Sequence, residues 1–395
     1  MHIEKSLHMQ KELQLYIHIP FCVSKCAYCD FLSAPGKPEQ VETYLEALMK
    51  EIESCKVWSA GYQVSTVFIG GGTPSILNEM QVERLFESIR HVFILKENAE
   101  ISIEINPGAV SEGLFACYKR VGINRLSIGL QSIHHEELLT LGRIHTYQDF
   151  RKTYDTARTM DFDNINVDLM SALPGQTFCT WEKTLKEVAD LQPEHISAYS
   201  LIIEPGTLFY TRYHNSSKTC PQPNSHDTAF PDEEQEYIMY QNTEEILKTY
   251  GYHRYEISNY AKKGCECRHN LGYWERKEYL GLGLGASSLM NETRWSNVEH
   301  MEQYLGIIKE AQKQLLTLQE QIEETMFLGL RKSEGVSLKK FQKQYKKTVF
   351  DVYGRVIREM SDKGFLICQG DCLKLTKRGV DLSNYVMAQF LEMDC

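Results

Sequence analysis

The chain has 395 residues, 42% of them hydrophobic and 24% charged, with a net charge of −10. That size allows one large core plus an appended domain, and the composition is that of an ordinary soluble globular chain. No run of 18 apolar residues is present and the first twelve residues are polar, which excludes a membrane span and a secretory signal and leads us to expect a cytoplasmic protein with at most peripheral membrane contact. The negative balance disfavours a generic nucleic-acid binder, and the 12 cysteines read as reduced thiols rather than a disulfide framework.

In chain order, apolar β-rich runs alternate with stretches of helical period. The predicted strands are Leu15–Pro20, Ser65–Gly70, Glu100–Asn106, Asn124–Leu130, Asn164–Leu173 and His195–Ile203; Val41–Cys55, Met80–His91 and Thr180–Leu191 have helical periodicity. The alternation predicts βαβ units on a parallel sheet whose strands are nearly all apolar. Six units make an α/β fold, an incomplete barrel open on one side, with its chemistry at the carboxyl ends of the strands. After Glu204-Pro205-Gly206 the pattern changes. A polar loop is expected over residues 211–231, then a helix over 232–251 and a strand over 254–259. From about residue 310 the composition turns to Lys/Gln-rich amphipathic helix, and Leu373–Leu382 reads as a small wing closing a helical domain. The expected domains are thus 1–210, a partial barrel; 211–308, a linker and barrel-capping extension; and 309–395, a helical, winged domain. Lys339, Lys340, Lys343, Lys346 and Lys347 form a basic stretch, which reads as a solvated helix face rather than an RNA contact.

Directly after the first strand stand Cys22, Cys26 and Cys29, spaced C-x3-C-x2-C. Three adjacent thiolates can face one inorganic object. A structural zinc site prefers four closed ligands, whereas a four-iron cluster on three protein thiolates keeps one iron open for another ligand. Gly70-Gly71-Gly72-Thr73 follows the second strand, where glycines let the backbone approach a ligand. Glu104 and Asp168 sit in otherwise apolar strands, a costly placement for a carboxylate unless it is paired or meets a ligand. His269-Asn270-x-x-Tyr273-Trp274 puts an imidazole beside two aromatic rings. This combination suits either an axial ligand to a flat macrocycle or a hydrogen-bonded structural histidine, with Cys265 and Cys267 close by.

The stretch Tyr16 to Phe31, with His18-Ile-Pro-Phe-Cys22 and Tyr28 before the last cysteine, resembles the cluster loop of radical S-adenosylmethionine (SAM) proteins. More narrowly, it resembles the branch of oxygen-independent coproporphyrinogen III oxidase and its haem chaperone relatives. The resemblance implies a 4Fe–4S cluster on the three cysteines, and SAM held by Tyr16, Tyr28, Gly71, Gly72, Thr73, Glu104, Gln131, Arg143 and Asp168. It also implies haem as cargo, with His269 of the H-N-x-x-Y-W motif as candidate ligand, haem-acceptor proteins as partners, and flavodoxin or ferredoxin as electron donor. Gly281, Gly283 and Gly285 are expected in a loop over the barrel mouth at the adenosyl end of SAM. Cys29 is followed by Asp30-Phe31 rather than a further cysteine, and only about fifteen residues precede the first strand; both features match the chaperone side. Oxidative decarboxylation of coproporphyrinogen III and haem-degrading radical methyl transfer stand as alternative activities.

Overall fold

A computed structural model describes residues 10–213, 229–306 and 312–391. Residues 214–228 of the expected loop and the boundary near residue 310 lie outside the described residues.

The six expected strands form in order: β1 (Lys11–Ile19), β2 (Tyr62–Gly71), β3 (Ile94–Ile105), β4 (Arg125–Gln131), β5 (Ile165–Ser171) and β6 (His195–Ser200). Each pairs in parallel with the next. Between them run α1 (Pro38–Ser54), α2 (Glu79–Val92), α3 (Glu112–Arg120), α4 (Tyr147–Thr159) and α5 (Phe178–Asp190). Their starts are chemically specified, since Asn78, Ser111, Thr146 and Thr177 each accept a hydrogen bond from a first-turn N–H.

The strands depart from the all-apolar expectation in a regular way. In β1, Leu13, Leu15, Ile17 and Ile19 pack into the core beneath the helices, while Gln14, Tyr16 and His18 alternate with them. In register across the sheet, Gln14 stands beside Thr66, Ser102 beside Arg125, Ser127 beside Asn166, and Asn166 beside His195. One face of the sheet is therefore apolar and carries the helices. The other, the barrel interior, is polar because it lines a cavity and a buried hydrogen-bond network.

The segment expected as a barrel-capping extension adds strands to the sheet at both edges. After α6 (Glu233–Thr249), β7 (His253–Arg254) and β8 (Asn259–Ala261) run antiparallel beyond β6. Following α7 (Arg268–Trp274), β9 (Tyr279–Leu282) adds a seventh parallel strand against β1. Next come β10 (Ser287–Met290), β11 (Thr293–Ser296) and β12 (Gln314–Leu315). The full order is β12-β11-β10-β9-β1-β2-β3-β4-β5-β6-β8-β7. Gly281 thus lies in a strand rather than over the mouth. Gly283, at φ +104°, turns tightly against the backbone of His18, where a Cβ would meet the carbonyl oxygen at 2.7 Å.

The C-terminal region is helical with a wing. It contains α8 (Leu318–Gly329), β13 (Val336–Ser337), α9 (Leu338–Tyr345), α10 (Val349–Asp362) and the hairpin β14 (Leu366–Gln369) to β15 (Cys372–Leu375). Its core is separate from that of the barrel and includes Met326, Phe341, Tyr353, Leu373 and Phe390. On α9, Phe341 and Tyr345 are buried and the lysines exposed, as a solvated amphipathic face requires.

Candidate functional site

At the carboxyl ends of the parallel strands lies a cavity of about 450 Å³. Its wall includes Cys22, Cys26, Tyr28 and Cys29 from the loop after β1; Gly71, Gly72 and Thr73 after β2; Glu104 from β3; Gln131 from β4; Arg143; and Asp168 from β5. The structure therefore brings together every expected cluster and SAM residue but one. Tyr16 is not among the lining residues. Its hydroxyl bonds His18 Nδ1 at 3.0 Å, and its ring stacks on Phe68.

The cysteine loop is anchored on all sides. His18 Nε2 bonds the Leu32 carbonyl at 2.9 Å, while Ala27 N–H donates to Leu141 O and Phe209 N–H to Ala27 O. The glycine turn is joined directly to this loop: Gly72 N–H donates to Ile19 O at 2.8 Å and Thr73 N–H to Phe21 O at 2.7 Å. A Cβ on Gly72 would stand 2.5 Å from the Phe21 carbonyl oxygen, so only glycine fits there. Gly71 has φ +114°, a left-handed conformation that side chains disfavour.

Two of the carboxylates lining the cavity, Glu104 and Asp168, stand in its strands. Burial first, and the nearby Asp168 second, raise the Glu104 pKa to about 8 against the lowering effect of the Gly71 N–H, which donates to Glu104 Oε2 at 3.1 Å. Burial also raises Asp168, but Asn166, Ser197, Ser127 and Arg125 all work to keep it ionised. Arg143 reaches Asn106 Oδ1 at 2.8 Å, the Gly129 carbonyl at 2.6 Å and the Cys26 sulfur at 3.5 Å, while its Nε is buried without a partner.

These residues fit the expected groups. Among the described residues no three His, Cys, Asp or Glu side chains are grouped as a single-ion site. The three thiols instead share one larger cavity, which suits a cluster whose irons each take one thiolate. Burial raises the pKa of Cys22 and Cys29, so taking up metal displaces protons from these sulfurs. The Arg143 guanidinium and the carboxylates of Glu104 and Asp168, all lining one cavity, match the carboxylate, ammonium and ribose hydroxyls of SAM.

Sequence reasoning missed Asn106, Ser127, Met170, Tyr199, Ile202 and Glu204, which also line the cavity. The strand period could have found Ser127 and Tyr199, since Ser127 stands in register with Glu104, and Tyr199 lies two residues beyond Ser197, the register partner of Asp168. Gln131 carries a further mark, a positive φ of 72° at the strand end, a strained placement typical of ligand sites.

The structure places His269, the candidate haem ligand, away from this cavity. It is 1% exposed and sits at the opposite, amino-terminal end of the barrel. Its Nδ1 lies 2.8 Å from Thr66 Oγ1 and its Nε2 3.0 Å from Tyr273 Oη, and the ring stacks on Phe68. With both nitrogens engaged, none is left for iron. Burial pushes its pKa down to about 3, so the ring is neutral. Trp274 of the same motif lies under the Arg331 guanidinium of the C-terminal region, 4.4 Å from the ring centroid. Cys267 is fully buried, its thiol pKa pushed up to about 12 by burial, which marks it as inert.

Comparison with known proteins agrees with this geometry. Residues 16–188 match the Radical SAM superfamily and residues 316–382 the HemN C-terminal domain. A Bacillus subtilis protein named Heme chaperone HemW is 37% identical over 95% of this chain and 98% of its own length. Its namesake from Lactococcus lactis is 34% identical over 97% and 98%. The crystal structure of the Escherichia coli coproporphyrinogen III oxidase HemN superposes with a TM-score of 0.83 at 24% identity, covering 96% of this chain and 90% of that one, which establishes the fold. The chain belongs to the radical SAM superfamily and, within its coproporphyrinogen oxidase-like branch, to the HemW family.

Proposed function

We propose that this chain is a cytoplasmic radical SAM haem chaperone, which holds a 4Fe–4S cluster on Cys22, Cys26 and Cys29, binds SAM in the adjoining cavity and passes haem to acceptor proteins. The observation that carries the cofactor reading is the convergence of three thiols, the glycine turn, Arg143 and two carboxylates on one cavity. When bound, the cluster supplies an electron, drawn from a flavodoxin or ferredoxin, and an open iron toward SAM. The chain's own residues do the rest. The Gly71–Gly72 turn gives close backbone approach, the Arg143 guanidinium in the cavity wall meets a carboxylate, and Asp168 and Glu104 meet cationic or hydroxyl groups. Haem as cargo rests on the names of the full-length relatives, and no residue is assigned here as its ligand.

The test runs two assays on one anaerobically reconstituted sample. About four irons per chain, haem transfer to an apo-haemoprotein and no carbon dioxide from coproporphyrinogen III are expected. Cys26→Ser should lose the cluster, whereas Cys55→Ser, at a buried position remote from the cavity, should keep it. Robust carbon dioxide release would establish the oxidase activity in place of the chaperone.

A further inference from the structure

Below the cavity runs a chain of hydrogen bonds that the cofactor reading leaves unused, and its chemistry fixes every donor. The backbone N–H of Cys267, the residue capping α7, points at Tyr255 Oη at 3.3 Å, and that hydroxyl lies 2.8 Å from His195 Nε2. His195 Nδ1 is 2.6 Å from Asn166 Oδ1, which also accepts from Ser197 Oγ at 3.1 Å. Asn166 Nδ2 stands 2.8 Å from Asp168 Oδ1 and 2.7 Å from Ser127 Oγ, and Ser127 Oγ lies 3.1 Å from Asp168 Oδ2. The Asn166 amide nitrogen donates to Asp168 Oδ1, so its oxygen faces His195 as an acceptor. The imidazole proton is then on Nδ1, and Nε2 accepts from Tyr255. All donors run one way, from the α7 terminus to the carboxylate in the cavity wall.

We propose that Tyr255, His195 and Asn166 are positioning residues for Asp168, a one-way donor relay that holds this carboxylate in place for the cationic or hydroxyl groups of SAM. The proposal rests on the reading of the cavity as a SAM site. His195, Asn166 and Tyr255 are 1%, 2% and 6% exposed, so water does not replace a lost link, and bonds in such a series polarise one another. The relay also gives the helix of the H-N-x-x-Y-W motif a part in the site without contact to ligand: α7 supplies its first donor.

The test measures equilibrium SAM affinity of the reconstituted full-length chain. His195→Leu should weaken SAM binding roughly tenfold with cluster content unchanged, the size of one lost charge-assisted contact. His195→Asn, which keeps an amide N–H near the Nδ1 position, should recover most of it. On an Asp168→Asn background, His195→Leu should add nothing, because both changes act on the same contact. Tyr255→Phe removes a single hydroxyl and should weaken SAM binding a few-fold, which keeps the test decisive if His195→Leu fails to fold. Additive effects, or parental affinity in both His195→Leu and Tyr255→Phe while Asp168→Asn is impaired, would overturn the relay and leave a structural network. Parental affinity in Asp168→Asn would instead remove the site reading at Asp168, and the relay with it.

Discussion

On the proposed reading Asp168 and Arg143, both in the cavity wall, each contact SAM, and each can be tested alone. Asp168→Ala and Arg143→Ala should each weaken SAM binding about ten- to a hundredfold, the equivalent of roughly 1.5 to 3 kcal/mol per charge-assisted bond, with iron content unchanged. Isothermal titration on the reconstituted protein checks this. Glu104 makes a different prediction, about stability. Its folded pKa of about 8 lies above the ordinary 4.5. As pH rises from about 4.5 to 8, the unfolded chain ionises this group while the folded chain resists, so stability is lost across that window. Glu104→Gln removes the penalty. Denaturant unfolding of the metal-free chain should therefore show the variant gaining on the parent by up to a few kcal/mol between those pH values. A constant difference would mean that Glu104 is already ionised in the fold.

At the level of elements, α7 works as a plug in the amino-terminal end of the barrel. Glu100 accepts from the backbone N–H groups of Arg268 and His269 at 3.0 Å each, a negative charge placed at a helix start. Gln14 Nε2 donates to the His269 carbonyl at 3.1 Å. His269→Ala would empty the space over Phe68, leave the Tyr273 hydroxyl without its partner and leave Thr66 Oγ1 with only the Gln14 amide. A loss of about 2 to 4 kcal/mol is expected, read by thermal or denaturant unfolding, with no direct effect on iron ligation. His269→Ala at parental stability would contradict the plug role.

Across the whole molecule, the barrel and the C-terminal region are joined by buried charge as well as by Trp274. Arg276, at the end of α7, bridges Glu292 at 2.7 Å and Glu324 of α8 at 2.9 Å, and its side chain is 4% exposed. Ser333 N–H donates to the Tyr255 carbonyl at 2.9 Å, so the relay residue also touches the C-terminal region. Arg276→Ala leaves Glu324 buried with Arg294 as its remaining partner and should cost about 3 kcal/mol. Calorimetry should show the C-terminal region melting earlier than the barrel; a single transition at the parental temperature would show that this bridge does not join them.

The sequence by itself determined the cofactor loop, because C-x3-C-x2-C is local chemistry that needs no fold to be recognised. It also determined the six barrel strands and three of the helices between them, because hydrophobic period acts within a few residues. The assignment of Gly71, Gly72, Glu104, Arg143 and Asp168 to one site followed from family resemblance, and all five line one cavity. Only the tertiary structure decided the rest. Composition could not tell a macrocycle ligand from a buried structural histidine at position 269, since both place an imidazole beside aromatic rings. What distinguishes them is whether a nitrogen is left free, and that depends on Thr66, some two hundred residues away in sequence. Likewise, nothing local marks Tyr279–Leu282 as a barrel strand; it becomes one because β1 has a free edge to pair with. The donor relay to Asp168 was equally hidden, as Asn166, His195 and Tyr255 meet only once the sheet sets its register.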